Sequence, residues 1–368
     1  MTLRSLAEAF LINPPIRISK GTVIPFVAME DVEPFRRDVR ASEVRPYSGG
    51  AKFMPGDIVM ARITPSLENG KVSRYVSDDG TPAAGSTEFI VIRGRDGISD
   101  TSFAYYLFTS TEIREFAISQ MNGSSGRQRV QTDSLANYRI ELPLLPEQRA
   151  IAATLGALDD KIESNRRAIK TIEDLLQADF KAVLEQHKFT LLSFDDVVNR
   201  LPVNHKHNHG SVGSRGRIAV LDQSELGILG YHDRDAEFVT TANNPLCLFG
   251  DHTCSWRLGI GSFDVGPNVI PITTSSVSGV HNTWLYFSLL GAQDFQEYRR
   301  HWMELKRHAI PWVSYRVQDL FVTRATTLLQ YWSYLLAQSR RLTDLRDALL
   351  PELLSGRIKV PEAREIVI

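Results

Sequence analysis

The feature that most constrains this chain is an apolar seam that begins just after Leu145-Pro146-Glu147-Gln148. Ile151, Leu155, Leu158, Ile162, Ile169, Ile172, Leu176 and Val183 recur at alternating spacings of four and three, with Asn165 and Asp179 at the remaining seam positions. Pro146 suits a first helical turn, where its missing N–H would have no partner anyway. Between Glu147 and Leu184 the only Gly or Pro is Gly156. A helix of this extent is roughly 55–60 Å long and needs something to pack along its seam.

The same chain supplies a partner. Leu328, Tyr331, Leu335, Gln338, Leu342, Leu345 and Leu349 repeat the alternation and end near Pro351 and Gly356. A shift of about 174 residues lays Arg166-Arg167 on Arg340-Arg341, Leu175-Leu176 on Leu349-Leu350 and Phe180 on Leu354. The chain therefore reads as two half-repeats, each a segment of roughly 140 residues followed by a long helix. A length of 368 residues suits two or three domains.

The segments ahead of the helices are strand-rich. In the first, Gly56-Asp57-Ile58-Val59-Met60-Ala61-Arg62 and Thr87-Glu88-Phe89-Ile90-Val91-Ile92 are short apolar runs bounded by turn residues, and Phe103 to Phe116 carries helical periodicity. In the second, Arg217 to Leu221 and Pro245 to Gly250 predict strands, and Thr283 to Leu305 predicts a helix. The connections are too short for repeated strand-helix-strand crossovers, so the sheets are expected to be antiparallel or mixed. The expected fold is α/β (α+β): two globular domains separated by two long antiparallel coiled-coil helices, with a pseudo-two-fold internal repeat.

Composition narrows the chemistry. Forty-two Lys and Arg against 43 Asp and Glu leave a formal charge of −1, so any nucleic-acid contact must come from local basic patches or a partner. Two cysteines, Cys247 and Cys254, exclude a disulfide framework and a four-thiolate zinc site. Met1 to Phe10 lacks the pattern of a signal peptide, and no apolar run is long enough to span a bilayer. A cytoplasmic protein is expected.

Three motifs invite a catalytic or metal reading. Asn13-Pro14-Pro15-Ile16 resembles the catalytic loop of amino-methyltransferases, but it lacks the aromatic residue that would stack on a flipped base, and no Gly-rich turn follows to hold a cofactor. A Pro-stiffened turn is the expected role. His205-Lys206-His207-Asn208-His209, with His232, His252, Cys247 and Cys254 downstream, carries metal-ligand types without the spacing of a zinc module, so no metal is expected. Glu304-Leu305-Lys306 with Asp294 looks like half of a metal-nuclease core but falls in a predicted helix.

What remains is a set of polar and basic loops. Arg62-Ile63-Thr64-Pro65-Ser66-Leu67-Glu68-Asn69-Gly70-Lys71 and Gly123-Ser124-Ser125-Gly126-Arg127-Gln128-Arg129 lie in the first half. Ser214-Arg215-Gly216-Arg217, Arg299-Arg300-His301-Trp302 and Lys306-Arg307-His308 lie in the second. Arg, Gln, Asn and Lys read base edges or anchor phosphates, and Gly and Ser let the backbone approach closely.

At these residues the chain resembles the specificity subunits of type I restriction-modification systems. Leu142-Pro143-Leu144-Leu145-Pro146-Glu147-Gln148-Arg149-Ala150-Ile151 and Leu158-Asp159-Asp160-Lys161-Ile162-Glu163-Ser164-Asn165-Arg166-Arg167 resemble the family's central helix, and Leu345 to Gly356 resembles its distal one. Thr64 to Lys71, Gly85-Ser86-Thr87-Glu88-Phe89, Gly126-Arg127-Gln128-Arg129 and Phe249-Gly250-Asp251-His252-Thr253 are similar to family patterns within the recognition domains.

The resemblance implies a non-catalytic subunit: two target-recognition domains (1–143 and 187–320), a central spacer helix (144–186), a distal spacer helix (321–358) and a C-terminal tail (359–368). Each domain would read one half of a bipartite site in double-stranded DNA while the helices set the gap. Two methylation subunits carrying S-adenosylmethionine would dock along the helices and methylate adenine N6. Restriction subunits, where present, would bring ATP and Mg; no cofactor is expected in this chain. The expected DNA contacts are Arg62, Thr64, Ser66, Lys71, Arg127 and Arg129 in the first domain, and His207, Arg215, Arg217, His252, Arg257, Arg300 and Lys306 in the second. Glu147, Gln148, Arg166, Arg167, Arg340 and Arg341 are the expected contacts with methylation subunits. The second helix has Val317-Gln318-Asp319 where the first has Pro146-Glu147-Gln148, so a different N-terminal contact is expected there. The alternatives are a standalone DNA-modifying enzyme, either a methyltransferase or a metal nuclease, and a spacer protein that has lost DNA reading.

Overall fold

A computed structural model of the chain describes residues 1–123, 127–213, 215–224, 227–293 and 301–367. It divides into two compact units, Met1–Glu163 with Arg340–Ile368, and Ser164–Ser339. No described helix is long and apolar enough to cross a membrane.

The first unit opens with β1 (Thr2–Ser5), α1 (Leu6–Ala9), β2 (Phe10–Ile12), β3 (Val23–Val27), β4 (Asp38–Val39), β5 (Glu43–Pro46), β6 (Ala51–Phe53) and β7 (Ile58–Ala61). It continues with β8 (Val72–Tyr75), β9 (Ala83–Gly85), β10 (Phe89–Gly94), α2 (Thr101–Thr109), α3 (Thr111–Ser119), β11 (Met121–Asn122), β12 (Arg129–Val130), α4 (Thr132–Asn137) and β13 (Arg139–Leu142). One sheet has the order β2-β10-β7-β8-β4 and another the order β5-β3-β9-β6, with β3 and β9 parallel and their outer neighbours antiparallel. All four residues of β7 are buried, as a strand covered on both faces requires. Ile58 and Met60 join the core with Phe103, Tyr106 and Ile90, whereas Val59 packs with Val27, Phe53 and Phe89. The single helix predicted over Phe103 to Phe116 is two helices. Ser110 ends α2 in extended backbone, and its hydroxyl then accepts from the Ile113 N–H to start α3.

The long helix α5 (Leu145–Gln186) contributes to both units. The second unit follows with β14 (Thr190–Leu192), α6 (Phe194–Val197), β15 (Val198–Arg200), β16 (Ile218–Leu221), β17 (Ile228–His232), β18 (Phe238–Thr240) and β19 (Leu246–Gly250). It ends with β20 (Trp256–Gly259), β21 (Gly261–Val265), β22 (Val269–Thr274), α7 (Asn282–Leu289), α8 (Trp302–Leu305), β23 (Ile310–Trp312) and α9 (Tyr315–Leu354); α10 (Val360–Val367) closes the chain in the first unit. The sheets have the orders β15-β22-β19-β20 and β17-β16-β21-β18, with β16 and β21 parallel. Strand for strand this is the order of the first unit without its outermost short strand β4, so the internal repeat extends from the helices to the sheets. Core packing repeats as well. Cys247 and Phe249 of β19 face Trp284 of α7, while Leu246 and Leu248 pack with Phe263 and Val265. The helix predicted from Thr283 to Leu305 ends at Leu289, and α8 is a separate turn.

Each unit pairs part of α5 with part of α9, antiparallel. In the second unit Asn165 meets Gln338 and Asp179 meets Arg324. In the first, Asp159 pairs with Arg346 at 2.8 Å, and Ile151, Leu155 and Leu158 share a core with Leu349 and Leu353. The predicted α5 seam is buried except at Ile169 and Asp179, which are half-buried. The α9 seam differs at its start: Tyr331 is exposed and stacks on Tyr334, while Leu329 is buried and Trp332 packs against the core. The larger Leu329/Trp332 face packs on the core, and the Tyr331 phenol stays in water. The helix also begins at Tyr315, ahead of the expected 321.

Candidate nucleic-acid interface

In the first unit the structure gathers most of the predicted residues on one connection and the segment it meets. The β7–β8 connection, residues 62–71, is a compact turn in which the Leu67 N–H donates to the Ile63 carbonyl at 3.0 Å and the Asn69 N–H to the Pro65 carbonyl at 2.9 Å. Gly70 sits at φ +74°, and a Cβ there would stand 2.6 Å from the Phe35 ring, so only glycine fits this corner. The connection is stitched to the segment 127–130. The Thr64 N–H donates to the Gln128 carbonyl at 3.0 Å, the Gln128 N–H donates to Thr64 Oγ1 at 3.0 Å, and Ile63 bridges Arg129. Arg62 Nη2 donates to the Val130 carbonyl at 3.1 Å, and Lys71 Nζ donates to the Met29 carbonyl at 2.9 Å.

The roles within this cluster separate by exposure. Thr64 is buried and serves the turn. Arg129 forms a forked pair with Glu88, from Nη2 to Oε1 at 2.7 Å and from Nε to Oε2 at 3.0 Å, and that pairing holds the guanidinium above its ordinary range. Arg127 is exposed, and its guanidinium has no protein partner among the described residues; Ser66 is half-buried. Glu88 and Gln128 organise the cluster; both lie in motifs quoted from the sequence, but neither was among the expected contacts, because their partners here are Arg129 and the Thr64 backbone and hydroxyl.

In the second unit the corresponding β19–β20 connection, residues 251–255, carries His252. It is exposed, and its backbone N–H donates to Gln223 Oε1 at 3.0 Å. Arg257 donates from Nη2 to the Ser224 carbonyl beside it, and burial pushes its guanidinium below the ordinary value. The connection is further anchored by the Trp302 N–H, which donates to Asp251 Oδ1 at 2.8 Å. Arg215 and Arg217 are exposed just before β16, at the end of that strand opposite Gln223, with Arg217 Nη2 on the Asp233 carbonyl at 2.9 Å. Lys306 pairs with Asp195 at 2.8 Å. Arg300 and Asp294 lie outside the described residues. The second set is thus spread over several loops, whereas the first is one cluster.

Two predicted residues are in the wrong environment for their assigned contacts. His207 is a buried side chain, with Nε2 2.7 Å from Asp264 Oδ2 and its ring stacked on His232, so it presents nothing to DNA. Gln148 is fully buried in an internal clamp: Nε2 donates to the Ile98 and Pro143 carbonyls, and Oε1 accepts from the Asp100 N–H. It cannot touch a methylation subunit. Gln318 makes the same set, donating to the Gly279 and Val313 carbonyls and accepting from the His281 N–H. The two helix starts are therefore alike, contrary to the expectation from Val317-Gln318-Asp319. The available signal was a Gln at the fourth position of both helices. Of the other helix residues, Arg167 and Arg341 are exposed, Arg166 and Arg340 are half-buried, and Glu147 lies 3.4 Å from Lys359 Nζ.

The methyltransferase-like motif is occupied structurally. Asn13, at φ 50°, accepts the Val91 N–H on Oδ1 at 2.9 Å and donates its own N–H to the Val91 carbonyl at 2.7 Å. Its amide oxygen ends the β2–β10 ladder.

Residues 18–174 match the family described as the type I restriction modification DNA specificity domain. That stretch is similar to the family's specificity domain and takes in a little under half of the chain. Similar proteins include the specificity subunits of two type I restriction enzymes of Escherichia coli. One, from EcoEI, is 29% identical over 159 residues, covering 42% of this chain and 27% of the relative. The other, from EcoAI, is 31% identical over 170 residues, covering 44% and 28%. The matched stretch thus spans little more than a quarter of either relative. Among solved structures, the S subunit of a type I restriction-modification system from M. genitalium shares the fold over 96% of this chain and 95% of its own, with a TM-score of 0.51 and 14% identity. The first unit's cluster lies within the matched specificity domain, and the second unit repeats its sheet order outside it.

Proposed function

We propose that this chain is the DNA-reading, non-catalytic subunit of a type I restriction-modification assembly, each unit reading one half of a split site in double-stranded DNA. The observation that carries the reading is the repeated two-sheet unit with a polar connection at the same place in each, 62–71 and 251–255, one of them inside the matched specificity domain. Arg127, Arg62, Ser66 and Lys71 in the first unit, and His252, Arg257, Arg215 and Arg217 in the second, are the contacts this reading assigns to bases and phosphates. Arg300 and Lys306 stay in the proposed set as phosphate contacts. Arg129 acts through Glu88 and Thr64 through the turn, as positioning residues.

The chain works in the cytoplasm with two methylation subunits, which bring S-adenosylmethionine, flip the adenine and methylate N6. Restriction subunits with ATP and Mg join where the system has them. Exposed Arg167 and Arg341, with Glu147, Arg166 and Arg340, are the docking contacts on the helices. A formal charge of −1 suits a subunit whose partners complete the phosphate contacts. Domain limits of 1–143 and 187–320, with 144–186 and 321–358 as spacers and 359–368 as a tail, remain the working division for exchanging recognition domains.

The test is single-molecule sequencing of adenine methylation in cells expressing this chain with its methylation subunit, against cells expressing that subunit alone. A new split motif with a fixed gap is the expected result. Methylation identical in the two cultures, with the complex intact, overturns it.

A further inference from the structure

Three imidazole nitrogens converge on one carboxylate oxygen in the second unit. Asp264 Oδ2, on β21, lies 2.7 Å from His207 Nε2, 3.1 Å from His232 Nε2 and 3.3 Å from His205 Nδ1. Asp264, His207 and His232 are buried, and His205 forms the half-exposed mouth of the cluster. The other carboxylate oxygen is already taken by the Glu237 N–H at 2.6 Å. Glu237 in turn holds the loop in place, accepting the Asn204 N–H at 2.7 Å and the His205 N–H at 2.8 Å.

A proton-only network fits this arrangement poorly. A carboxylate oxygen has two lone-pair directions, and here three ring nitrogens share it. Each would have to present an N–H to the same atom. A cation among the four groups removes the crowding. Tetrahedral zinc, with bonds of about 2.0–2.1 Å, sets its ligand atoms about 3.3 Å apart, near the 2.7–3.3 Å separations around Oδ2. Three neutral imidazoles and one carboxylate are a donor set that suits zinc or a neighbouring late transition metal, and poorly suits Mg or Ca.

We infer that His205 Nδ1, His207 Nε2, His232 Nε2 and Asp264 Oδ2 form a structural site for a divalent transition metal, zinc by preference. The His-x-His pair comes from the loop ahead of the 3-10 turn His209–Ser211, and the other two ligands come from β17 and β21. The metal would pin that loop to the sheet carrying Arg217. Binding moves a proton: with the metal on Nε2, His232 carries its hydrogen on Nδ1 and gives up the 3.2 Å hydrogen bond it accepts from the Arg234 N–H. His207 likewise carries its remaining hydrogen on the buried Nδ1, which has no partner among the described residues.

The test uses the purified full chain. After dialysis against a chelating resin, metal content is measured, and the stripped chain is titrated with cobalt(II) and then zinc. The expected result is one metal per chain, visible cobalt bands of tetrahedral intensity that zinc displaces, and a rise in melting temperature on zinc addition. His205→Ala removes the exposed ligand without opening the core and should weaken cobalt binding by about tenfold or more. His232→Gln should do the same. A folded wild-type chain that takes up neither cobalt nor zinc overturns the inference, as does binding unchanged in His205→Ala. Should His232→Gln fail to fold, the wild-type spectrum and His205→Ala decide.

Discussion

Asn165 donates from its side-chain amide to Gln338 Oε1 at 3.0 Å across the helix seam of the second unit, and to Ser339 Oγ at 3.1 Å. It does so from a position that is almost wholly buried. A lone polar pair in an apolar seam costs stability but fixes which residues face each other, because any slip leaves the amide without partners. Asn165→Ala should destabilise the chain by about 1–3 kcal/mol. Asn165→Leu should melt at least as high as wild type while admitting a shifted register. Disulfide trapping with cysteine pairs placed in the native and in the one-heptad-shifted register checks this. Trapping confined to the native pair in Asn165→Leu would show that other contacts hold the register.

The paired glutamines make a second prediction. Gln148 and Gln318 each close three internal hydrogen bonds at the start of a long helix, and each is completely buried. Ala at either position strands two carbonyls and an N–H, at a cost of about 1–3 kcal/mol. Glu should be no rescue, because a carboxylate cannot donate to the two carbonyls. Denaturant unfolding of Gln148→Ala, Gln318→Ala and both Glu variants measures the cost. Hydrogen exchange should localise each effect to the α2–α5 or the α7–α9 junction.

How much of this was legible in the sequence depends on whether a residue's role repeats. The α5 seam was, because one pattern recurs over many turns and Ile151 to Val183 all follow it. The start of the α9 seam was not: Leu328/Tyr331 and Leu329/Trp332 fit the same spacing, and side-chain volume in the folded core chose the second. Gln148 reads from the sequence as a contact for a methylation subunit and Gln318 as part of a different helix start, since their true partners are backbone groups that no side-chain pattern marks. The histidine cluster was half visible. His205, His207 and His232 stand out, but the carboxylate that gathers them lies 57 residues beyond His207 and 32 beyond His232. Only the pairing of β16 with both β17 and β21 brings it there.

Within the first unit's cluster, Arg127 and Arg129 should separate when mutated. Arg127 is exposed and its guanidinium has no protein partner among the described residues, so Arg127→Ala should leave melting unchanged. It should weaken binding to the proper half-site by about 1–3 kcal/mol if the guanidinium reads a base edge. An equal loss on all DNA would assign it to phosphate. Arg129→Ala breaks the forked pair with Glu88 and loosens the segment stitched to Thr64. It should lower affinity for every sequence and increase proteolysis near Gln128. Glu88→Gln should reproduce that phenotype, which a direct DNA contact by Arg129 would not.

Asp38 links the first unit's sheet to α5 through charge. Its Oδ2 accepts from Arg37 Nη2 at 2.8 Å and its Oδ1 from Arg74 Nε at 2.8 Å, while Arg37 Nη1 donates to the Gly156 carbonyl at 3.0 Å. Burial works against the carboxylate, but the hydrogen bonds from Arg37 and Arg74 outweigh it and hold Asp38 below its ordinary value of 3.8. A carboxyl depressed in the folded state binds fewer protons there than in the unfolded chain. Its contribution is therefore complete above the unfolded value and is lost as the pH falls through the folded one. Asp38→Asn should cost about 1–3 kcal/mol near neutral pH, because one arginine keeps only an uncharged acceptor and the other meets the NH2 group. The gap between wild type and Asp38→Asn should stay level from about pH 7 to pH 5 and close below about pH 4. Unfolding curves for the two proteins across that range measure it. A gap that stays level down to the acid transition would show that Asp38 acts through shape and not charge.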